Sequence, residues 1–111
     1  MKRYLNFKKL QAAQKLWVKH NFPNRESYYP LLGMIEELGE LAHAHLKMLQ
    51  NIRGTKQKHQ TEKGDAIGDI VIYMSDYCTA NDINFQDIVE AAWDEVKQRD
   101  WIKYPINGVD K

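Results

Sequence analysis

Residues 29–50 read YPLLGMIEELGELAHAHLKMLQ, and this stretch decides the fold. Its apolar residues recur at the three- and four-residue spacing of an α-helix, and no strand-like alternation competes with them. Pro30 suits the first turn, where a backbone donor has no partner inside the helix. The stretch therefore predicts one long helix. Its predicted buried stripe consists of Leu31, Ile35, Leu38, Ala42, His45 and Leu49.

Three further helices are predicted around this one. The four predicted helices cover about residues 6–20, 29–50, 61–80 and 84–100. Pro23 ends the first, because proline lacks a backbone donor and biases the residue before it away from helix. The polar segment 51–60 is predicted to be a loop, with Thr61 as the N-cap of the third helix. With an irregular tail over about residues 102–111, the chain is predicted to be one all-α domain over residues 1–111, a compact four-helix bundle-like fold.

Composition and charge restrict the classes of partner. The 111 residues carry 16 basic and 15 acidic side chains, for a formal net charge of +1. Such a balance creates no basic field, so no nucleic-acid polymer is expected as a partner. No apolar run approaches the roughly 20 residues that span a bilayer, so no membrane is expected either. Cys78 is the single cysteine, which excludes an intrachain disulfide and fits a cytoplasmic location.

Carboxylates gather along one edge of the second and third predicted helices. They are Glu36, Glu37 and Glu40 on the second, and Glu62, Asp65, Asp69 and Asp76 on the third. If these edges face each other, cations must relieve the repulsion, and Mg²⁺ prefers carboxylate and water oxygens as ligands. A carboxylate-bound Mg²⁺ is a natural receiver for a triphosphate. The alternative interpretation is a solvated acidic surface without a ligand.

Glycines beside these carboxylates favour the ligand interpretation. Gly39 and Gly68 lie inside the predicted helices, where each costs about 1 kcal/mol relative to alanine; Gly33 and Gly64 add to the same pattern. Glycine at such positions suggests the close approach of a neighbouring helix or of a ligand.

Two motifs resemble those of a known family. The run Gly33–Leu41, GMIEELGEL, resembles the Glu-Glu-x-x-Glu motif of MazG-like nucleotide pyrophosphohydrolases, in the all-alpha NTP pyrophosphatase group. The run Asp65–Asp69, DAIGD, resembles the family's second motif, Glu-x-x-Asp, on the next helix. The resemblance extends over about residues 10–101. It implies a Mg²⁺-dependent hydrolase, with Mn²⁺ able to substitute, that cleaves NTPs or dNTPs between the α and β phosphates to release pyrophosphate.

The resemblance also implies roles for individual carboxylates. By matching position, Glu37, Glu40 and Asp69 would be metal ligands, and Glu36 would be a ligand or would orient a water. The catalytic candidates, among which the sequence does not choose a general base, are Glu36, Glu37 and Glu40.

The chain departs from the family at one ligand position. The second-motif glutamate falls on Ala66, which cannot bind a metal. Asp65 lies four residues before Asp69 and is the first candidate for the missing ligand. Glu62, one turn earlier, is the second candidate.

Substrate-binding and assembly residues are predicted with weaker signals. The candidates for phosphate contacts are Lys97 and Arg99, which the resemblance suggests, and Arg53 in the central loop. Trp17 is a candidate for stacking on a base, although aromatic residues at helical spacing usually belong to the core. The apolar surface exceeds what one small bundle hides, so a homodimer or homotetramer is expected, with the acidic cleft near an interface.

Two alternatives remain open at this stage. A non-catalytic helical module that binds nucleotide or protein is favoured by Ala66. A metal-binding redox bundle is suggested by Glu40-x-x-His43, but it requires a second Glu-x-x-His, which the sequence lacks.

Overall fold

The computed structural model describes residues 6–110, and every regular element in that range is an α-helix. The helices are α1 (Phe7–Asn21), α2 (Tyr29–Gln50), α3 (Lys56–Ala80) and α4 (Phe85–Val96). The predicted all-α class and the four helices are thereby confirmed. The bounds of α2 are those predicted. None of the helices in this range combines the length and apolarity needed to cross a bilayer.

The start of α3 corrects the predicted loop. Thr55, not Thr61, is the N-cap, and its side chain accepts a hydrogen bond from the Lys58 backbone N–H at 3.0 Å. Thr61 lies inside the helix, where its hydroxyl donates to the Gln57 carbonyl at 3.1 Å. The connection between α2 and α3 therefore shrinks to residues 51–55. Gly54 adopts a φ of 145° there, a conformation that L side chains rarely adopt.

The side-chain amide of Gln11 in α1 forms hydrogen bonds with the backbone at the turn between α3 and α4. Gln11 Nε2 donates to the Ile83 carbonyl at 2.8 Å, and Gln11 Oε1 accepts from the Phe85 N–H at 3.0 Å. The rings of Phe7 and Phe85 lie 4.6 Å apart between centroids, and Phe85 is buried. These contacts hold the N-terminal half of α1 against α3 and α4.

The face of α2 that contacts α3 is not the predicted one. The buried residues of α2 are Pro30, Glu37 and Ala44. The predicted stripe is exposed instead; Leu38 exposes 58% and Leu49 exposes 70% of its surface. Glu37 precedes Leu38 by one residue, so the real buried face is rotated by about 100° from the predicted one. Within the described range α2 packs along α3 and along no other helix, so its outer face remains uncovered.

The tail after α4 consists of turns and bends, with no helix or strand among residues 97–110. Helix α4 ends at Val96, about four residues before the predicted end. The backbone then closes a loop, since the Asp100 N–H donates to the Gly108 carbonyl and the Gly108 N–H donates to the Tyr104 carbonyl, each at 2.8 Å. The Asp100 carboxylate accepts from the backbone N–H groups of Ile102 and Lys103.

Candidate metal and nucleotide site

Glu37 is the centre of the carboxylate cluster. It exposes only 9% of its surface, at the interface of α2 with α3. Burial raises the pKa of Glu37 above its ordinary value of 4.5. The nearby charges of Glu40 and Asp69, a side-chain hydrogen bond with Glu40 and, least, the charge of Glu36 raise it further. The structure therefore brings four of the predicted site residues close enough to act on one another, across two helices.

One oxygen of this cluster has no partner. Glu37 Oε2 is buried and receives no hydrogen bond. An ionised carboxylate can only accept, and a buried acceptor without a donor costs about 1–3 kcal/mol. A divalent cation would supply the missing positive charge, and a set of oxygen donors is the set that Mg²⁺ prefers. The residues present therefore fit Mg²⁺ chemically.

An acidic cleft of about 370 Å³ opens on one side of the cluster. Its lining residues are Glu40, His43, Glu62, Asp65, Ala66 and Asp69. Ala66 exposes 3% of its surface and forms part of the cleft wall. Both predicted substitutes, Asp65 and Glu62, reach this cleft.

Glu62 has two neighbouring groups at long distance. Its Oε1 lies 3.7 Å from Lys58 Nζ and 3.8 Å from His59 Nδ1, and neither distance is a hydrogen bond. The buried His59 ring uses its other nitrogen, Nε2, to donate to the Ile52 carbonyl at 2.9 Å, which ties α3 to the short loop. Glu62 Oε1 therefore remains without a hydrogen-bond donor.

A second cleft, of about 310 Å³, shares Asp69 with the first. Its remaining lining residues are Gln14, Trp17, Phe22, Arg25, Glu37, Ile72, Tyr73 and Asp76. The rings of Trp17 and Phe22 meet edge to face, with centroids 5.8 Å apart. This aromatic cleft adjoins the carboxylates directly, because Glu37 and Asp69 form part of its wall.

Arg25, which no pattern in the sequence singled out, brings positive charge to the aromatic cleft. Its guanidinium forms an ion pair with the buried Asp76 and lies 6.0 Å from the centroid of the Phe22 ring. Arg25 lies in the non-helical connection between α1 and α2, where no periodicity marks a residue as functional.

Tyr73 stands between this cation and the acids. Burial raises the pKa of its phenol, the charges of Glu36, Glu37 and Asp69 raise it further, and Arg25 opposes them. The phenol therefore stays protonated and available as a donor.

The close approach of a neighbouring helix that was predicted at four glycines is found at one of them. A Cβ at Gly33 would overlap the Tyr73 ring, so the expected close approach of a neighbouring helix is confirmed there. A Cβ at Gly39, Gly64 or Gly68 would meet nothing within 4 Å, so no neighbouring helix explains these three.

The predicted phosphate ligands lie away from both clefts. Lys97 Nζ pairs with Asp94 at 2.9 Å, and Arg99 pairs with Glu95 at 3.3 Å, both on the outside of α4 and the turn after it. Arg53 lies in the short loop with a φ of 64°. None of the three lines the acidic or the aromatic cleft.

The carboxylates do not form a closed metal cage. Within residues 6–110, no three His, Cys, Asp or Glu side chains are grouped tightly enough to hold a metal ion as they stand. Mg²⁺ usually keeps several waters and binds through one or two carboxylates plus substrate phosphates, so an open arrangement is compatible with it.

Comparison of the chain with protein-family models, with curated proteins and with solved structures gives no match.

Proposed function

We propose that this chain is a MazG-like, Mg²⁺-dependent nucleoside triphosphate pyrophosphohydrolase, which converts an NTP or dNTP and water to the monophosphate and pyrophosphate. The observation that carries the proposal is the buried Glu37, whose partnerless oxygen lies among Glu40, Asp69 and Glu36. Such a cluster is unfavourable when all its carboxylates are ionised, and either a cation or a proton shared by Glu37 and Glu40 relieves it. The proposed cation is Mg²⁺, with Mn²⁺ as a substitute.

In this proposal the carboxylates bind the cation and move the proton. Glu37, Glu40 and Asp69 hold the metal, and Asp65 or Glu62 supplies the oxygen that Ala66 lacks. When bound, the metal would neutralise phosphate charge and lower the pKa of a water. One carboxylate among Glu36, Glu37 and Glu40 accepts the proton of the attacking water. The water oxygen bonds to the α-phosphorus, the bond from that phosphorus to the α–β bridging oxygen breaks, and pyrophosphate leaves.

The aromatic cleft is where the nucleoside would bind. Trp17 and Phe22 provide faces on which a base can stack, and stacking of this kind contributes about 1–3 kcal/mol per base. Arg25 and the protonated Tyr73 add donors between the aromatic pair and the carboxylates. The phosphate-binding role predicted for Lys97, Arg99 and Arg53 is better supported for Arg25.

The same proposal includes a homodimer or homotetramer. Large apolar side chains of the described residues lie exposed along α2 and α3, among them Ile35, Leu38, Leu49 and Ile67. Exposed apolar surface of this extent is typical of a face that a further copy of the chain covers. Partners beyond the nucleotide and further copies of the chain, such as membranes or nucleic-acid polymers, are not part of the proposal, and its location is proposed to be cytoplasmic.

Pyrophosphate release from a panel of NTPs and dNTPs tests the reaction. We expect release with Mg²⁺ and its loss in EDTA. Glu40→Gln and Asp69→Asn should lower turnover at least a hundredfold while the helical circular dichroism spectrum is unchanged. Glu90→Gln, a change of an exposed glutamate on α4 outside both clefts, is the matched control and should retain full activity. Equal turnover in all three variants would contradict the proposal.

One observation favours the non-catalytic module as the second candidate. Ala66 occupies the cleft wall where the resemblance places a metal ligand. A folded protein that binds nucleotide, measured by calorimetry, and yet releases no pyrophosphate from any member of the panel would support this candidate instead.

A further inference from the structure

A buried amide lines the aromatic cleft and has no part in the proposed reaction. Gln14 exposes only 7% of its surface, and its side chain forms part of the cleft wall. It lies three residues before Trp17 on α1, so the two side chains are neighbours on one face of that helix. A base that stacks on Trp17 therefore has its edge within reach of the Gln14 amide.

The fully buried Ser75 sets the direction of this amide. Its hydroxyl donates to Gln14 Oε1 at 3.5 Å and has no other acceptor among the described residues. If the amide were turned over, the hydroxyl would be buried without an acceptor, which is unfavourable. The amide oxygen therefore faces Ser75. The Nε2 group has no acceptor within residues 6–110, so its N–H donors are available to a ligand in the cleft.

A donor at this place distinguishes two kinds of base. Uracil, thymine and guanine carry an acceptor oxygen at the ring position where cytosine and adenine carry an amino group, which donates. Gln14 Nε2 can donate to that oxygen, whereas the amino group would meet it donor against donor. A site built to form a hydrogen bond discriminates strongly against a ligand that leaves its buried polar group unpaired.

We propose that Gln14 selects nucleotides whose base carries this carbonyl oxygen, and that Ser75 is the positioning residue that keeps the amide turned for the task. The preferred ligands are then uridine, thymidine and guanosine nucleotides. Cytidine and adenosine nucleotides should bind about tenfold or more weakly. The selection rests on the proposed function, because it requires a nucleotide with its base in the aromatic cleft.

Calorimetry with nucleotides that resist cleavage separates base selection from the reaction. The probes are the α,β-methylene analogues of UTP, CTP, GTP and ATP, titrated into the full chain in the presence of Mg²⁺. The UTP and CTP analogues differ only at the edge that Gln14 would contact, so the ratio of their Kd values is the readout. We expect the UTP analogue to bind about tenfold or more tightly than the CTP analogue, and the GTP analogue to bind more tightly than the ATP analogue.

Three variants test the two residues. Gln14→Met keeps the length of the side chain and removes the donor, so the UTP to CTP preference should fall to within about twofold. Ser75→Ala leaves Gln14 in place but frees its amide to turn, so the preference should fall although Ser75 does not line the cleft. The double variant removes both partners of the buried hydrogen bond and keeps the comparison valid if either single variant folds poorly. Gln98→Met, a change of an exposed glutamine outside both clefts, is the matched control and should keep the wild-type preference.

Base selection and the reaction can fail separately. Equal binding of the UTP and CTP analogues by the wild type, a preference for the CTP analogue, or an unchanged preference in Gln14→Met would overturn the selection while leaving pyrophosphate release intact. An unchanged preference in Ser75→Ala would overturn the positioning role. A retained UTP preference without any pyrophosphate release would support the selection and contradict the reaction alone. No binding of any analogue would overturn both the selection and the placement of the nucleotide.

Discussion

Replacement of Glu37 by glutamine tests the carboxylate cluster most directly. Glu37 is nine-tenths buried, has a partnerless oxygen and lies close to Glu40 and Asp69. Glutamine keeps the shape of the side chain, removes its charge and gains an N–H group that can donate to a neighbouring carboxylate. The variant should therefore relieve an unfavourable interaction in the metal-free protein and, at the same time, remove a metal ligand.

The size of the effect follows from the cost of the unsatisfied group. A buried acceptor without a donor costs about 1–3 kcal/mol, so Glu37→Gln should raise the free energy of unfolding in EDTA by about that amount at pH 8. For a domain of this size each kcal/mol corresponds to about 4–8 °C in melting temperature. With Mg²⁺ at a thousandfold excess over Kd, the wild type gains about 4.1 kcal/mol, which exceeds the whole of the range of about 1–3 kcal/mol. The variant should gain much less, so the order of the two melting temperatures should reverse.

The pH dependence provides a second check. The pKa of Glu37 in the folded protein lies above its ordinary value of 4.5, so the folded state binds the proton more tightly than the unfolded state. The stability of the metal-free wild type should fall as the pH rises from about 4.5 through the raised pKa. The variant lacks this decrease, and its advantage should vanish below pH 4.5. Thermal unfolding followed by circular dichroism in EDTA and in Mg²⁺ measures all of these quantities. A variant that melts below the wild type in EDTA, or that gains as much from Mg²⁺, would refute the reasoning.

Three further changes test other parts of the structure. Gly33→Ala should lower the free energy of unfolding in urea by about 1–3 kcal/mol, because the added Cβ overlaps the Tyr73 ring; an unchanged midpoint would contradict this contact. Trp17→Ala should raise KM for nucleoside triphosphates by about tenfold or more while kcat changes little, since stacking binds the base and not the reacting phosphate. Arg99→Gln should leave kcat/KM within about twofold of the wild type, because Arg99 lines neither cleft; a loss of tenfold would restore the sequence-based assignment.

The class of fold was predictable because helical periodicity is a local signal. The bounds of α2 followed from its own residues, with Pro30 at the start. The start of α3 was not predictable in the same way, because its first turns are polar and mostly exposed, and polar residues are equally typical of a loop. Thr55 and Thr61 are both acceptable caps by residue type. The structure uses Thr55, whose side chain accepts from the Lys58 N–H.

The part of the candidate site that lies on the neighbouring helices α2 and α3 was predictable from the sequence. The short loop between α2 and α3 brings the two motif segments together, so Glu37, Glu40 and Asp69 meet without help from the rest of the chain. Arg25 and Trp17 reach the same place through the packing of α1 on α3, which involves contacts distant in sequence. No local pattern encodes such contacts, which is why Arg25 was missed and the exposed Arg99 was preferred.

The orientation of α2 connects the metal and the assembly. A rotation of α2 by about 100° would bury Leu38 and Leu49 against α3 and return Glu37 to water. Burying a leucine stabilises a fold by roughly 1.5–3 kcal/mol, and exposing Glu37 would end the cost of its partnerless oxygen. That rotation would therefore stabilise an isolated chain in two ways. The observed orientation instead matches a protein in which groups from outside the chain supply both missing contacts: a cation beside Glu37, and a second copy over the leucines. Mg²⁺ and self-association then stabilise the same orientation of α2, and the metal should bind the oligomer more tightly than the dissociated chain, which calorimetry on concentrated and on dilute protein measures.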